Sequence, residues 1–285
     1  MTKPYVAAPE FMAYPNYLDL DDLIPGGTAA QQQAELVNSL LRASGLVDGY
    51  CRAKRGLDAH VATDVVSARI NPITWEVAVR LKDGPLQQVL SVQVAPLGVP
   101  GAAPVQVPAT AAYLLDGMLR IPAPNAVPGY HGRVVVTVQY VAGWPVTALA
   151  APAAVGAEQL APVSVIGITP GAVMRLWDPG VEEYVTVSGL YLPGNPIVPL
   201  TAPLSSPHQA GAALDELPLD VHEAVTLWTM GLLARPTSGG DEDAFSDTTG
   251  DGPTTAGKDP RRHGAGLIAG AKQILDEGGY VRAAT

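Results

Sequence analysis

The residues most suggestive of chemistry lie near the C-terminus. Gly252, Gly257 and Lys258 match G-x-x-x-x-G-K, the start of a loop that binds nucleoside phosphates. Asp259, however, replaces the Ser or Thr that would hold magnesium, and its charge would repel a phosphate. The preceding residues are polar and acidic rather than a buried strand, and Pro260 disfavours the helix that should begin there. We therefore interpret the motif as a chance match in a Gly-rich stretch.

The histidines do not form a metal-binding pattern. No two have the spacing of a ligand pair, and the His-Glu dipeptide at 222–223 lacks the second histidine of a metalloprotease helix. We interpret all five as solvated or capping side chains: His60, His131, His208, His222 and His263.

An acidic run extends from Asp241 to Asp251. It does not keep the register of a calcium-binding loop, because Phe245 and Ser246 occupy the fifth and sixth positions. A solvated charge run is the interpretation we favour, and weak calcium binding stays open as the alternative.

The single cysteine, Cys51, precedes the basic residues Arg52, Lys54 and Arg55, which could lower its pKa. The competing interpretation, which we favour, is a small buried hydrophobic residue at the end of a helix. The chain also contains no G-x-S-x-G nucleophile elbow and no convincing catalytic triad. We therefore predict a protein that is not an enzyme and that uses no cofactor and no metal.

The composition predicts a folded chain rich in turns. Hydrophobic residues make up 47% and charged residues only 15%, with 30 Gly and 27 Pro. The net charge of -10 disfavours general nucleic-acid binding but suits the wall of a channel through which DNA slides. One cysteine permits no intrachain disulfide, which suits folding in the cytosol. No secretory or membrane-spanning segment is recognisable, since prolines interrupt the longest weakly polar run, 143–157.

Three segments have the apolar spacing of helices, at about 28–51, 218–235 and 265–277. Thr28 and Gln31 are placed to form a capping box at the start of the first. Between the first two helices lies a β-rich region, with alternating patterns at 73–81, 90–94 and 134–140. The last of these is stopped by the sequence AGWP at 142–145.

Residues 146 to about 158 are rich in Ala and Pro and are predicted to form a linker. A second β-rich block follows, to about residue 215, and Asp178-Pro179-Gly180 favours a type II turn within it. Residues 237–260 are polar and acidic and are predicted to form a flexible loop.

The order of these parts resembles the head-to-tail connector (adaptor) proteins of long-tailed bacteriophages. The resemblance is carried by LDLDDLIPGGTAAQQQAELVNSLLRASGLVDGYCR (18–52), GRVVVTVQYVAGWP (132–145) and LPLDVHEAVTLWTMGLLARP (217–236). In those relatives the strand leads almost directly to the helix, whereas here residues 146–216 intervene. Residues 170–214 resemble a β module of assorted phage structural proteins, with Glu183 and His208 at pattern positions.

The resemblance implies an α+β fold. We predict a helical adaptor core formed by residues 1–145 and 217–285, with a β-rich middle and a small β domain inserted at 146–216. It further implies a virion protein that forms a ring, commonly a dodecamer, beneath the portal protein. Such a ring receives a stopper or tail-completion protein at its outer end, and double-stranded DNA passes through its centre.

In position, the C-terminal arm is similar to the segment that docks adaptors onto the portal. The candidates for portal docking are Arg261, Arg262, Tyr280, Val281 and Arg282, and a frayed tail is the alternative. Two other classes of function also stay open. One is a different virion component, a head decoration or tail protein, and the other is an enzyme with unrecognised residues.

Overall fold

The computed structural model describes residues 3–15, 18, 20–21, 23–53, 55–97, 103–122, 132–234 and 264–281. The α-helices within these ranges are α1 (Ala8–Ala13), α2 (Ala29–Tyr50), α3 (Leu219–Leu233) and α4 (Ala265–Glu277). None of these four helices is both long enough and apolar enough to cross a lipid bilayer.

The strands over the same ranges are short except for three. They are β1 (His60–Arg69), β2 (Glu76–Val79), β3 (Leu86–Pro96), β4 (Val105–Val107), β5 (Tyr113–Leu115), β6 (Met118–Pro122), β7 (Arg133–Ala142), β8 (Val146–Ala148), β9 (Gln159–Leu160), β10 (Val173–Asp178), β11 (Val181–Thr186), β12 (Val198–Pro199) and β13 (Ala213–Asp215). They form antiparallel sheets in the orders β1-β7-β3-β4, β11-β10-β13-β8, β12-β9 and β2-β6-β5.

The predicted fold class, a helical adaptor core, is wrong. Strand accounts for 33% and helix for 26%, so the described chain is mainly antiparallel β-sheet with four helices. The physical reason lies in the composition. Helical stripes are confined to a few segments, whereas alternating β-branched residues and frequent Pro and Gly favour short strands elsewhere.

The chain divides into two compact units. The helical unit comprises Met1–Gly56, Trp177–Glu182 and Leu217–Thr285, and the β unit comprises Leu57–Leu176 and Glu183–Glu216. The domain boundaries predicted from the sequence, with an insertion at 146–216, stay a prediction.

The helical unit is organised by α2, which packs against α1 and α3, while α4 packs against α3. The predicted capping box forms at its start, where the N–H of Gln31 donates to the Thr28 hydroxyl and the Thr28 N–H donates to Gln31 Oε1. Its apolar stripe is fully buried: Leu36, Leu40, Ala43 and Val47. The predicted bounds of α2, α3 and α4 agree with those in the structure to within two residues.

Two glycines allow α3 and α4 to approach closely. A Cβ on Gly231 would lie 2.8 Å from the carbonyl oxygen of Gly264 and 2.7 Å from the side chain of Ile268. Gly264 precedes α4 with a φ of 68°, a backbone conformation that other residues rarely adopt. The separation of these two helices thus depends on the absence of side chains at both positions.

The β unit contains the longest strand pairing of the chain. β1 and β7 pair over ten residues, from His60 opposite Ala142 to Arg69 opposite Arg133. The inward side chains of this sheet share one hydrophobic core with Val77 and Leu119, which belong to β2 and β6. Alternation of buried and exposed residues along β7 agrees with the pattern predicted at 134–140.

The strand predicted at 73–81 is shorter than expected and begins only at Glu76. The side chain of Asn71 accepts hydrogen bonds from the N–H groups of Ile73 (2.9 Å) and Thr74 (3.4 Å), which holds this stretch in a turn. Trp75 then has a φ of 55°, so the alternating pattern is interrupted before the strand starts.

The linker predicted at 146–158 is wrong. Val146–Ala148 form β8 and pair with β13, and Ala153 forms a bridge with His208. Residues 149–214 contain a hydrophobic cluster of their own, centred on Met174, Leu176 and Leu214. The turn predicted at 178–180 joins β10 to β11, with Gly180 at the positive φ (80°) that a type II turn requires.

Candidate functional site

Two of the five predicted docking residues lie in the described part of the chain. Tyr280 and Val281 lie just beyond α4, after Gly278 and Gly279, and are both partly buried. Arg261, Arg262 and Arg282 lie outside the described residues. Tyr280, near the end of the described residues, contacts other parts of the helical unit. Its N–H donates to the carbonyl of Leu275 (3.1 Å), and its hydroxyl lies 3.4 Å from the carboxylate of Asp220. Burial, together with the Asp220 charge, raises the pKa of Tyr280.

A second cluster of side chains joins α2, α3 and α4 within the helical unit. The Tyr50 hydroxyl donates to Asp276 at 2.8 Å, and its ring lies edge-on to that of Trp228 at 6.0 Å between centroids. The ammonium of Lys272 lies over both rings, 5.5 Å from Tyr50 and 5.7 Å from Trp228. The hydrogen bond to Asp276 raises the pKa of Tyr50, so the phenol stays protonated as a donor. These contacts give α4 a defined position from which to present Tyr280.

The AGWP sequence forms the point at which several segments of the β unit meet. The N–H of Gly143 donates to Pro85, and the N–H of Trp144 donates to Leu57. The carbonyl of Trp144 in turn accepts from the N–H of Ala59 (2.7 Å). Gly143 has a φ of 91°, and a Cβ there would lie 2.7 Å from the carbonyl oxygen of Leu57. Glycine is therefore required for this turn.

The two ends of segment 146–216 lie side by side. β8 pairs with β13 in register, with Val146 opposite Asp215. Beyond that pair, the N–H of Glu216 donates to the carbonyl of Pro145 at 3.0 Å. The segment therefore leaves the chain and returns to it at the same place.

A buried carboxylate in the β unit was not anticipated as a site. Asp64 is 3% exposed and accepts hydrogen bonds from the Tyr140 hydroxyl (2.9 Å) and the Lys82 N–H (2.8 Å). The Tyr140 oxygen accepts in turn from the N–H of Asp83. Burial raises the pKa of Tyr140 far above its ordinary value, so the phenol keeps its proton. No sequence signal marks Asp64, because apolar and polar residues do not alternate along 60–69 and Val61 and Val65 lie on the outward face.

His208, predicted to be a solvated or capping side chain, is buried beside a carboxylate. His208 is 1% exposed, and its Nε2 lies 2.8 Å from Glu183 Oε1. Glu183 Oε2 accepts from both the hydroxyl (2.7 Å) and the N–H (3.0 Å) of Ser205. Burial raises the pKa of Glu183, but the hydrogen bonds from Ser205 and His208 outweigh it, and the net pKa is lowered.

Glu183, Ser205 and His208 have the residue types of a catalytic triad but a different arrangement. A nucleophilic serine needs its hydroxyl directed at the histidine that removes its proton. Here the Ser205 hydroxyl and the histidine ring both bond to the same carboxylate. The geometry therefore fastens the 205–208 segment to β11 and does not activate a nucleophile.

The remaining candidates from the sequence also receive structural positions. Cys51 is completely buried at the C-terminal end of α2, in agreement with the favoured interpretation. His222, also predicted to be a solvated or capping side chain, is not solvated, since it is 6% exposed and its Nδ1 lies 3.5 Å from Glu10. His60 is partly buried, with its Nε2 3.6 Å from Asp83. His131, His263, the phosphate-loop motif and the acidic run lie outside the described residues.

Glu216 has a carboxylate oxygen that is buried without a hydrogen-bond partner in the described structure. Burial raises the pKa of this carboxyl. A raised folded-state pKa means that the native state prefers the neutral acid. Stability is then complete below the ordinary glutamate pKa of about 4.3 and decreases as the pH rises through the folded-state pKa.

We predict that the stability of Glu216→Gln increases relative to that of wild type as the pH rises from about 4 to 7. The variant has no charge to bury, so its unfolding free energy lacks the loss that wild type suffers over this range. Urea unfolding of both proteins at a series of pH values measures the difference. A difference that stays constant with pH would contradict a buried, destabilised carboxylate at this position.

No group of three or more His, Cys, Asp or Glu side chains in the described ranges is arranged to hold a metal ion. Comparison with known proteins does not assign the chain to a family. No family model matches the sequence, and no curated protein is significantly similar to it.

Proposed function

We propose that this chain is a structural protein of a bacteriophage particle, the head-to-tail adaptor. Copies of the chain form a ring beneath the portal protein and receive the stopper or tail-completion protein at the other end. Double-stranded DNA leaves the capsid through the centre of the ring. The proposal assigns no catalytic step and no cofactor to the protein.

The observation that carries this proposal is the return of segment 146–216 to its starting point. Because the N–H of Glu216 donates to the carbonyl of Pro145, the two ends of the segment lie next to each other. Adjacent ends are expected of a segment inserted into the order of the resemblance, in which the strand that ends at AGWP is followed along the chain by the helix that here begins at Leu219. A segment whose ends pair can be added between two elements without separating them.

The charge of the chain is also compatible with this role. A net charge of -10 in a protein with few charges favours a wall that DNA does not bind. Tyr280, held against Asp220, places the end of the described C-terminal arm on the helical unit rather than in solvent. We propose this end of the helical unit as the portal-docking surface, with Tyr280 and Val281 as its described members.

A second candidate is another structural role in the phage particle, as a decoration or tail protein. It is favoured by an apolar loop at residues 188–197, called here the leucine loop, in which Leu190 is 89% and Leu192 73% exposed. The loop is held in shape by hydrogen bonds from the Leu190 N–H to Ser188 and from the Tyr191 hydroxyl to Asn195. An apolar tip that is fixed and exposed is typical of a protein contact.

Gold-antibody labelling of particles from the lysate, viewed by electron microscopy, tests the proposal. One spot of label at the head–tail junction is the expected result, and label over heads or along tails would favour the second candidate. Absence of label from partly disassembled particles would contradict both and reopen the search for an enzyme.

The double variant Leu190→Ser/Leu192→Ser separates the two candidates. Both side chains are exposed, so the substitution leaves the folded structure intact. An adaptor docked through its helical unit is expected to stay at the junction in particles made with this variant. Loss of the protein from these particles would favour a role that depends on the leucine loop.

A further inference from the structure

The outward face of the β1-β7-β3-β4 sheet is unusual for a solvated sheet surface. Residues directly opposite one another in an antiparallel pair share a face, so the register defines its composition. Thr63, Val65 and Ser67 on β1 lie opposite Gln139, Thr137 and Val135 on β7. All six side chains are uncharged, and β3 continues the row with Gln93 opposite Thr137.

Apolar side chains on this face are strongly exposed. Val65 is 61% and Val61 46% exposed, although both lie on a regular strand. β1 is also the edge of its sheet, with β7 as its one neighbour in the sheet order. Natural proteins usually protect a long edge strand that lacks Pro and Lys from pairing with another chain, or they use it as a contact with another chain.

The only charges that the β1–β7 register places on the outward face are two arginines at one end. Arg69 and Arg133 are directly opposite each other, and both are exposed. Like charges in this position repel and destabilise the pair of strands. Among the described residues, neither guanidinium has a carboxylate within ion-pair distance.

We propose that this sheet face is the contact between copies of the chain, with Arg69 and Arg133 binding carboxylates of the neighbouring copy. The inference deepens the proposed function and rests on it for the ring, because it names the surface through which one subunit meets the next.

Charge favours a second copy as the occupant. The chain has 27 acidic and 17 basic residues, so the surfaces of two copies repel each other over most approaches. An uncharged face removes that repulsion. The two arginines at its rim, which have no carboxylate partner among the described residues, are complementary in charge to a partner rich in carboxylates. Two arginines beside exposed valines are a poor match to a nucleic acid, which demands a basic surface. The contact joins different surfaces of the two copies, as a closed ring needs.

The test is sedimentation velocity of the full chain over a wide range of protein concentrations. Wild type is expected to form larger species as its concentration rises. Arg69→Glu/Arg133→Glu places carboxylates against carboxylates and is expected to weaken association about tenfold or more. Val65→Asp, at an exposed position, is expected to weaken it similarly by placing an unpaired charge in the uncharged face.

Arg42→Glu is the control, since it makes, at one exposed position of α2, the substitution that the double variant makes at two. It is expected to leave association unchanged, and the thermal unfolding of each variant confirms that it is folded. A wild type that is monomeric at every concentration would overturn the inference, as would equal association in all variants. Binding of duplex DNA that is lost in the double arginine variant, with self-association unaffected, would assign the face to nucleic acid instead.

These outcomes are separate from those for the proposed function. Sedimentation uses the purified chain, whereas gold labelling locates it in particles. If the label lies away from the head–tail junction but the purified variants associate as expected, the adaptor role is contradicted and the proposed contact between copies is supported. If the label lies at the junction but the variants of this face associate as wild type does, the adaptor role is supported and the contact between copies lies on another surface.

Discussion

Replacing Gly143 with alanine is expected to reduce the free energy of unfolding by about 4 kcal/mol. Two costs add. The backbone at this position has a φ of 91°, which costs a residue with a side chain about 1–3 kcal/mol. The new Cβ would also overlap the carbonyl groups of Leu57 and Asp58, and an overpacked contact of this kind costs about 1–3 kcal/mol. The midpoint of urea unfolding measures the change.

Gly156→Ala is the matched control for Gly143→Ala. Gly156 has a similar φ of 82°, but no atom lies within 4 Å of the Cβ that alanine would add. The control therefore isolates backbone strain, and its expected cost is about 1–3 kcal/mol. Equal losses in the two variants would show that the close approach of 57–58 to the AGWP turn contributes nothing. The turn tested here lies in residues 132–145, one of the three stretches on which the resemblance to adaptor proteins rests.

Removal of the Glu183 side chain is the second large expected effect. Glu183→Ala leaves three donors without their acceptor: the Ser205 N–H, the Ser205 hydroxyl and the ring of His208. His208 is almost completely buried, so water cannot readily replace the lost bond. We expect a loss of about 2 kcal/mol in unfolding free energy at pH 7.

The pH dependence of this variant distinguishes a hydrogen-bonded carboxylate from simple loss of packing. The folded-state pKa of Glu183 is lowered, so its contribution is complete above the ordinary value of about 4.3 and is lost as the pH falls through the folded-state pKa. The difference between wild type and Glu183→Ala should therefore shrink in acid. The difference in unfolding free energy between wild type and Glu183→Ala therefore increases with pH, whereas the difference between wild type and Glu216→Gln decreases with pH.

Glu158→Ala provides the control for Glu183→Ala. Glu158 is an exposed glutamate of the same unit, and its replacement is expected to change stability by less than about 0.5 kcal/mol. A loss in Glu183→Ala that does not change between neutral and acidic pH would contradict the proposed role of the ionised carboxylate.

Elements that depend on neighbouring residues were predictable from the sequence. α2 begins at a capping box whose two members are three residues apart, and its buried stripe repeats every three or four residues. The turn at Gly180 requires one residue with a positive φ between two strands. In each case the interacting groups lie within one or two turns of chain, where residue type and spacing determine the geometry.

The candidate sites were less predictable, because their members come from distant parts of the chain. Asp64 and Tyr140 are 76 residues apart, and Glu183 and His208 are 25 apart. No local pattern distinguished Asp64 from other carboxylates or identified the tyrosine that bonds to it. The docking residues Tyr280 and Val281 are predictions from the resemblance, and the contact of Tyr280 with Asp220 appears only in the folded chain.

The three main helices, the alternating strand at 134–140 and the end of that strand at AGWP follow from local residue patterns. The tertiary structure decided that the chain is mainly antiparallel sheet, that the expected linker is a strand paired with residues 213–215, and that two histidines are buried beside carboxylates. The reason is physical. Helix caps and turns are set by interactions within a few residues, whereas strand pairing and burial require distant segments to meet.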